Sequence, residues 1–381
     1  MRLKFGAFIA PVHNLSGNPT LQIRRDLQMA EYLDELGFDE IWYGEHHSGG
    51  AEIIAAPDLM IAGAAERTKR IRLGTGVVTL PYHNPFMVAD RIVQLDHQTQ
   101  GRIIFGVGAG ALAYDAHMIG VDHNAIRSRV EDGLDIITRL FNGEVVTAKS
   151  DWYNLNEARL QLLPFSDSIE LAVAAVSTTS GPTTAGRFGA GLLSIAATTS
   201  KGFEALPGTW EVYAKQAASF NHTAHRKTWR LVGPMHIAET REQARRDVRH
   251  GLQEWLSYFT KVGTLPLAVT GDGDIESEID YLIEHGIAVI GTPDDLIGQI
   301  ERMQQQSGGF GCFLSMAHNW AEYAQTKRSY ELIADYVMPV FQGQLQQKAD
   351  AQQWARSKRK EFGELRRIAA EQVAKPQNKS A

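Results

Sequence analysis

The chain has 381 residues, 44% apolar and 22% charged, which is enough for a sizeable core and unlike a disordered chain. A net charge of −6 gives no electrostatic case for binding nucleic acid or an anionic membrane. The single cysteine, Cys312, excludes a disulfide framework and a zinc site built on several thiolates. No apolar run approaches the roughly 18 residues of a membrane span. The opening MRLKFGAFIAP is too short, and too soon broken by Pro11, to be a signal peptide. The expectation is a cytoplasmic enzyme, of two or three domains at about 150 residues each or of one long α/β barrel.

In chain order, Leu3 to Ile9 reads as a strand, followed by a loop from Pro11 to Pro19. Apolar residues at helical spacing run from Thr20 to Leu36, where Gly37 stops them. Phe38 to Tyr43 is a second strand, and a helix follows from Pro57 to Arg67 with proline in its first turn. Ile71 to Thr79 is strand three, Pro85 to Gln98 a helix, and Ile103 to Val107 strand four. Ile126 to Phe141 is strongly amphipathic. Leu171 to Val176 and Leu192 to Ala196 read as strands around a short helix near Thr183 to Phe188. A helix over Leu206 to Phe220 precedes a strand at Trp229 to Ala238, and Thr240 caps a helix running towards Tyr258. A helix from Thr292-Pro293-Asp294-Asp295 leads into the eighth strand, Phe310 to Met316. Eight short strands alternating with helices fit a (β/α)8 TIM barrel, and an open doubly wound sheet is the rival.

Two stretches depart from this rhythm. Residues 261–274 are rich in Gly, Thr and Asp and read as a mobile segment; its GDGD resembles a calcium loop but lacks EF-hand spacing, so an acidic loop tip is the reading. Residues 342–381 carry nine cationic side chains against four acids, a local charge of +5 that leaves −11 on residues 1–341. This basic helical tail suits a solvated or subunit-clasping helix, with nucleic acid as the other reading.

The chemistry-bearing residues fall at strand exits, which form the active rim of a barrel. Strand two ends in Gly44-Glu45-His46-His47-Ser48, where either imidazole titrates near neutral pH and suits a general base or a hydrogen bond to a cofactor. The bland reading is a polar strand end facing water. No metal site is expected, because adjacent side chains on an extended chain diverge and no HExxH or CxxC spacing supplements them. Strand three exits through GTGVVTLPYHNP, in which Gly76 before Val77 permits close approach of a flat ligand and two prolines present Tyr82, His83 and Asn84. An ordinary loop explains that stretch equally well. Strand four exits through FGVGAGA, a G-x-G-x-x-A match without the strand-turn-helix context of a dinucleotide fold, as the residues after it open no clear helix. Strand five exits into VSTTSGPTTAGRFGAG, where Ser177, Thr178, Ser180 and Gly181 offer hydroxyls and amides to a phosphate at a helix start, with Arg129 or Arg187 adding charge. A plain Ser/Thr helix cap is the alternative. Met316, His318 and Trp320 on the last strand wall either a pocket or the core.

Together GEHHS, GTGVVTLPYHNP, LDHQTQGRIIFGVGAG, STTSGPTTAGRFGAG and IGTPDDLIGQIERM, in that order over roughly residues 1–340, resemble the bacterial luciferase-like flavin monooxygenases. Within that family the EHHS and LPYHNP forms look closest to the limonene and diketocamphane type. The resemblance implies a TIM barrel that takes reduced FMN from a separate NAD(P)H:flavin reductase, forms a flavin 4a-hydroperoxide with oxygen, and oxygenates a small apolar substrate such as a cyclic ketone or terpene. It implies a homodimer. By position, His46 would be the catalytic histidine, with Glu45 and His47 orienting it. Gly76 and Val77 would hold a cis peptide under the flavin ring; Asn84, Gly108, Arg129, Ser177, Thr178, Ser180 and Gly181 would complete the FMN site. Trp42, Tyr82, Met316 and Trp320 are the candidate substrate-pocket walls, and residues 261–274 fall where the family carries a lid. The chain departs from the family at Ala109, where the luciferases have a phosphate-binding arginine, and at Gly108, where they have a reactive cysteine. Two other readings stand beside this one: a deazaflavin-dependent reductase of the same fold, and a non-catalytic flavin-binding protein.

Overall fold

Alternation along each short strand sets which side chains face in. In the computed structural model, which describes residues 2–9, 12–263, 273–317 and 319–374, eight parallel strands form: β1 (Lys4–Ile9), β2 (Glu40–Tyr43), β3 (Arg72–Thr75), β4 (Ile103–Gly108), β5 (Glu170–Ala175), β6 (Gly191–Ser194), β7 (Trp229–Ile237) and β8 (Cys312–Ala317). Each pairs with the next, and β8 pairs with β1 in the register Lys4 with Cys312 through Ile9 with Ala317, so the sheet closes. The chain is therefore a (β/α)8 barrel and not an open sheet. Phe8, Trp42, Ile104, Ala172, Leu193, Val232 and Leu314 pack together on one side of the strands. Their strand neighbours Ala7, Ile41, Tyr43, Phe105, Val173, Leu192, Leu231 and Phe313 join a separate core that includes the surrounding helices.

The helices are α1 (Pro19–Leu36), α2 (Pro57–Ala65), α3 (Pro85–Thr99), α4 (Ala113–Ile119), α5 (Ile126–Phe141), α6 (Ser180–Arg187), α7 (Ser200–Ser219), α8 (Arg241–Val248), α9 (Leu252–Lys261), α10 (Ile275–Glu284), α11 (Pro293–Ser307) and α12 (Tyr323–Leu332). Their ends obey local chemistry. Asn18 caps α1 and Gly37 closes it at φ +86°, a backbone state that suits glycine. Thr292 and Asp295 make a reciprocal capping box on α11.

Several elements differ from the sequence reading. Strand three is split: β3 stops at Thr75, and Val78–Thr79 resumes pairing against the end of β4. Helix α4 follows β4, where no helix was expected. The helix expected from Thr240 to Tyr258 breaks at Gly251, whose amide donates to the Trp320 carbonyl at 2.9 Å. A Cβ there would sit 1.9 Å from the Asn319 carbonyl, so the helix cannot pass this point with a larger residue. An antiparallel hairpin (Val146–Lys149 with Asn154–Ala158) is inserted before β5. Helix α7 begins six residues before the expected Leu206, and a short strand at Val289–Gly291 pairs in parallel alongside the end of β7. Most of the expected lid, residues 264–272, lies outside the described residues.

One end of the barrel interior holds charge. Arg230, 1% exposed, makes a bidentate pair with fully buried Glu40 (2.6 and 2.9 Å) and reaches Glu170 at 2.7 Å. Arg72 pairs with the other oxygen of Glu170, and the Trp42 indole donates to Glu40 at 3.0 Å. Burying these ions is costly unless every one is paired, as here. After α13 (Met338–Phe341), α14 (Gln346–Ser357) and α15 (Arg359–Ala374) form the expected helical tail, exposed almost throughout. No described helix is long and apolar enough to cross a membrane.

Candidate active site

Strand β2 delivers Glu45, His46 and His47 to the rim, and the alternating direction of side chains separates them. Glu45, 5% exposed, turns to strand three: its Oε2 accepts from the Thr79 amide at 3.0 Å. Its Oε1 accepts from His47 Nε2 at 3.0 Å and from His83 Nε2 at 2.7 Å. Burial would raise the Glu45 pKa, but these imidazoles and the amide bring it down to about 2. The same hydrogen bond raises the His47 pKa above the ordinary imidazole value. One carboxylate oxygen of Glu45 and one imidazole nitrogen each of His47 and His83 lie within 4.8 Å of one another. A cavity of about 290 Å³ opens between α2 and α3 against Glu45 and His83.

His46 is therefore oriented by other residues than the Glu45 and His47 expected from the resemblance. Its Nδ1 donates to Asp115 Oδ2 at 3.4 Å, and its Nε2 faces Glu52 Oε1 at 3.6 Å. Asp115, in the first turn of α4, also accepts from the His47 amide at 3.2 Å and from the Ser48 hydroxyl. Burial opposes the charged His46, yet Asp115 and Glu52 outweigh it and raise the His46 pKa. Asp115 is held low against its own burial by His46, Ser48 and the His47 amide. For Glu52 burial dominates and its pKa rises. Neither acid was visible in the sequence. Asp115 sits in a stretch read as non-helical, and Glu52 in a loop whose only signal was its nearness to EHHS.

Gly76 and Gly108 stand where neighbouring side chains pack against the backbone. The Gly76–Val77 peptide is cis, as the resemblance implies. A Cβ on Gly76 would lie 2.7 Å from Phe8, and one on Gly108 2.7 Å from the Val77 side chain. Across the rim, α6 starts at Ser180 and no side chain caps its amides, while Ser177 and Thr178 are exposed in the preceding loop. Gly181 lets α6 approach β5, since a Cβ there would meet the Ala174 carbonyl at 2.4 Å. Arg129 is engaged elsewhere in part: Nη2 pairs with Asp151 at 2.8 Å and the guanidinium covers Trp152, while Nε has no partner. Arg187 pairs with Glu131 at 2.7 Å.

Four other expected positions need correction. Asn84 is the cap of α3, its Oδ1 accepting from the Phe86 and Met87 amides at 3.0 and 3.4 Å, so helix geometry already uses it. Trp42 and Trp320 are fully buried and Met316 nearly so. Trp42 fills the barrel interior under Gly74 and Gly106, and Trp320 stacks edge-on against Trp255 at 5.2 Å. These three belong to the packed core; Tyr82 alone keeps an open face, 6.1 Å from the His47 ring. His318 lies outside the described residues.

A closed parallel barrel with partly buried imidazoles and buried carboxylates at its C-terminal rim defines a barrel enzyme. Residues 3–309 match the luciferase-like monooxygenase family. The chain belongs to that family and is a monooxygenase. It is 48% identical over 344 residues to limonene 1,2-monooxygenase of Rhodococcus erythropolis, covering 90% of this chain and 88% of that one. It is 43% identical over 349 residues to 4-hydroxyprotoasukamycin monooxygenase of Streptomyces nodosus subsp. asukaensis, covering 90% and 94%. Among solved structures, the FMN complex of the oxygenating constituent of 3,6-diketocamphane monooxygenase from Pseudomonas putida shares the fold. That match has a TM-score of 0.74 at 24% identity and covers 89% of this chain and 99% of that one.

Proposed function

We propose that the chain is the oxygenase component of a two-component system that uses reduced FMN and O2 to oxygenate a small apolar molecule, of the terpene or cyclic-ketone class. The observation that carries this is a partly buried imidazole, His46, held by Asp115 and Glu52 at the rim of a closed barrel. The uncapped amides of α6 and the exposed hydroxyls before it suit a phosphate. Bound reduced flavin supplies the oxygen-activating chemistry. His46 would hold or deliver the proton that such chemistry needs, at an Nε2 or Nδ1 whose basicity the two acids raise. The similarity to limonene 1,2-monooxygenase favours the substrate class. A separate NAD(P)H-dependent flavin reductase is the partner on this reading, and the protein works as a homodimer.

The test is oxygen uptake by the full chain with a generic flavin reductase, NADH and FMN across ketones and terpenes. Substrate-dependent uptake with an oxygenated product is the expected result; uptake that yields only hydrogen peroxide with every compound overturns the proposal. His46→Ala should cut product formation at least about 10²-fold, the usual worth of a positioned acid or base. A titration with FMN and with the deazaflavin separates the hydride-transfer reading.

A further inference from the structure

Two acids from separate segments, Asp115 and Glu52, meet the two edges of the His46 ring. Behind Glu52 stands Tyr258 of α9, whose hydroxyl donates to Glu52 Oε2 at 2.8 Å while Glu52 Oε1 faces His46 Nε2 at 3.6 Å. Glu52 is 7% exposed and its Tyr258 partner equally so. This contact depends on Gly49, which at φ +79° lies beneath the phenol. A Cβ on Gly49 would be 2.7 Å from the Tyr258 hydroxyl, so any side chain there would push α9 away. The loop carrying Glu52 is tied down from the other side: His13 donates through Nδ1 to the Ala51 carbonyl at 3.1 Å, and its Nε2 meets Asp26 at 3.0 Å.

We infer that Glu52 and Tyr258 are positioning residues for His46: the Tyr258 hydroxyl fixes the Glu52 carboxylate, and that carboxylate fixes the Nε2 edge of the imidazole as Asp115 fixes the Nδ1 edge. The inference rests on the proposed role of His46 and extends it to a residue 206 positions later in the chain than Glu52. The groups facing His46 are Asp115 from α4, Glu52 from its own loop, and Glu45 and His47 on its own segment; Glu52 in turn faces Tyr258, His13 and Asp115. A negative Glu52 favours the imidazolium. Tyr258 favours the charged form of Glu52 by donating to it, against the burial that raises its pKa. Without the phenol, burial would leave Glu52 more often neutral and His46 with one charged neighbour fewer.

The deciding measurement is the titration of the His46 ring by heteronuclear NMR on the ligand-free full chain, with His46→Gln used to assign its signals. In Glu52→Gln the ratio of protonated to neutral His46 at fixed pH should fall about tenfold, one pKa unit. In Tyr258→Phe it should fall in the same direction by a smaller factor. An unchanged His46 titration in both variants, with their thermal melts intact, overturns the inference. Product formation measured in parallel tests the other claim. A displaced titration with undiminished turnover would uphold the positioning and remove the catalytic role of His46; lowered turnover with an unmoved titration would defeat the positioning alone.

Discussion

Glu45 and His83 form the shortest imidazole contact at the rim, 2.7 Å between Oε1 and Nε2. Because that same oxygen also accepts from His47, the acid adjacent to His46 in sequence works for two other histidines. The rim is thus two linked devices: a Glu45 cluster that locks strand three's exit onto β2, and a pair of acids that brackets His46.

Glu45→Gln should expose how much the first device stabilises the fold. Its carboxyl falls from the ordinary 4.5 to about 2 on folding. A lowered pKa contributes stability that is complete above the unfolded value and is lost as pH falls through the folded one. At about 1.4 kcal/mol per unit, the variant should lose up to about 3 kcal/mol near neutrality. Urea melts at a series of pH values should show the two proteins converging between pH 4.5 and 2.

Asp115→Asn should move the pH dependence attributed to His46. The raised pKa means that the imidazolium persists above the ordinary 6.5, so its stabilisation is full below 6.5 and lost as pH rises through the folded value. Removing the Asp115 charge and acceptor should shift the corresponding limb of the turnover profile to lower pH, by about one unit. A pH-rate series with saturating reduced FMN reads this directly.

Arg230→Met removes the bidentate partner of buried Glu40, which keeps only Lys4 at 3.4 Å and the Trp42 indole, and leaves Glu170 with Arg72. Breaking a buried pair from one side costs about 3–5 kcal/mol. Denaturant midpoints should fall accordingly. Activity per folded molecule should hold, because this cluster occupies the strand starts and the chemistry sits at their ends.

Ending the chain after Gln342 should hardly affect the barrel. Nearly every residue of α14 and α15 is exposed, including Trp354 at 58% and Leu365 at 54%, and their rings and aliphatic side chains meet mainly each other. A shift below about 2 °C in calorimetric Tm is expected, since little apolar area would be uncovered.

The barrel was legible because its signals are local. Gly37 ends α1, Pro85 starts α3 under the Asn84 cap, and Thr292-Pro293-Asp294-Asp295 starts α11, each through chemistry within one turn of the chain. The EHHS segment was legible as a rim motif for the same reason. What surrounds it was not, because Asp115 and Tyr258 reach His46 and Glu52 across 69 and 206 positions. Trp42 was misplaced through a related ambiguity: an aromatic at a strand end looks alike whether it walls a pocket or fills a barrel. The glycines that decide it, Gly74 and Gly106, lie on two other strands. At the break of the α8–α9 helix, Gly251 packs against the Asn319 and Trp320 backbone, which no periodicity in residues 240–258 could reveal.

Cys312 lies fully buried at the start of β8, and burial pushes its thiol well above the ordinary range. A protonated, enclosed thiol does not react with alkylating reagents, so labelling at this position times the opening of the barrel seam where β8 meets β1. The absence of any other cysteine makes the native protein a blank background for probes: one thiol engineered on α9 or the tail would carry a fluorophore alone, reporting motion there while the seam stays silent.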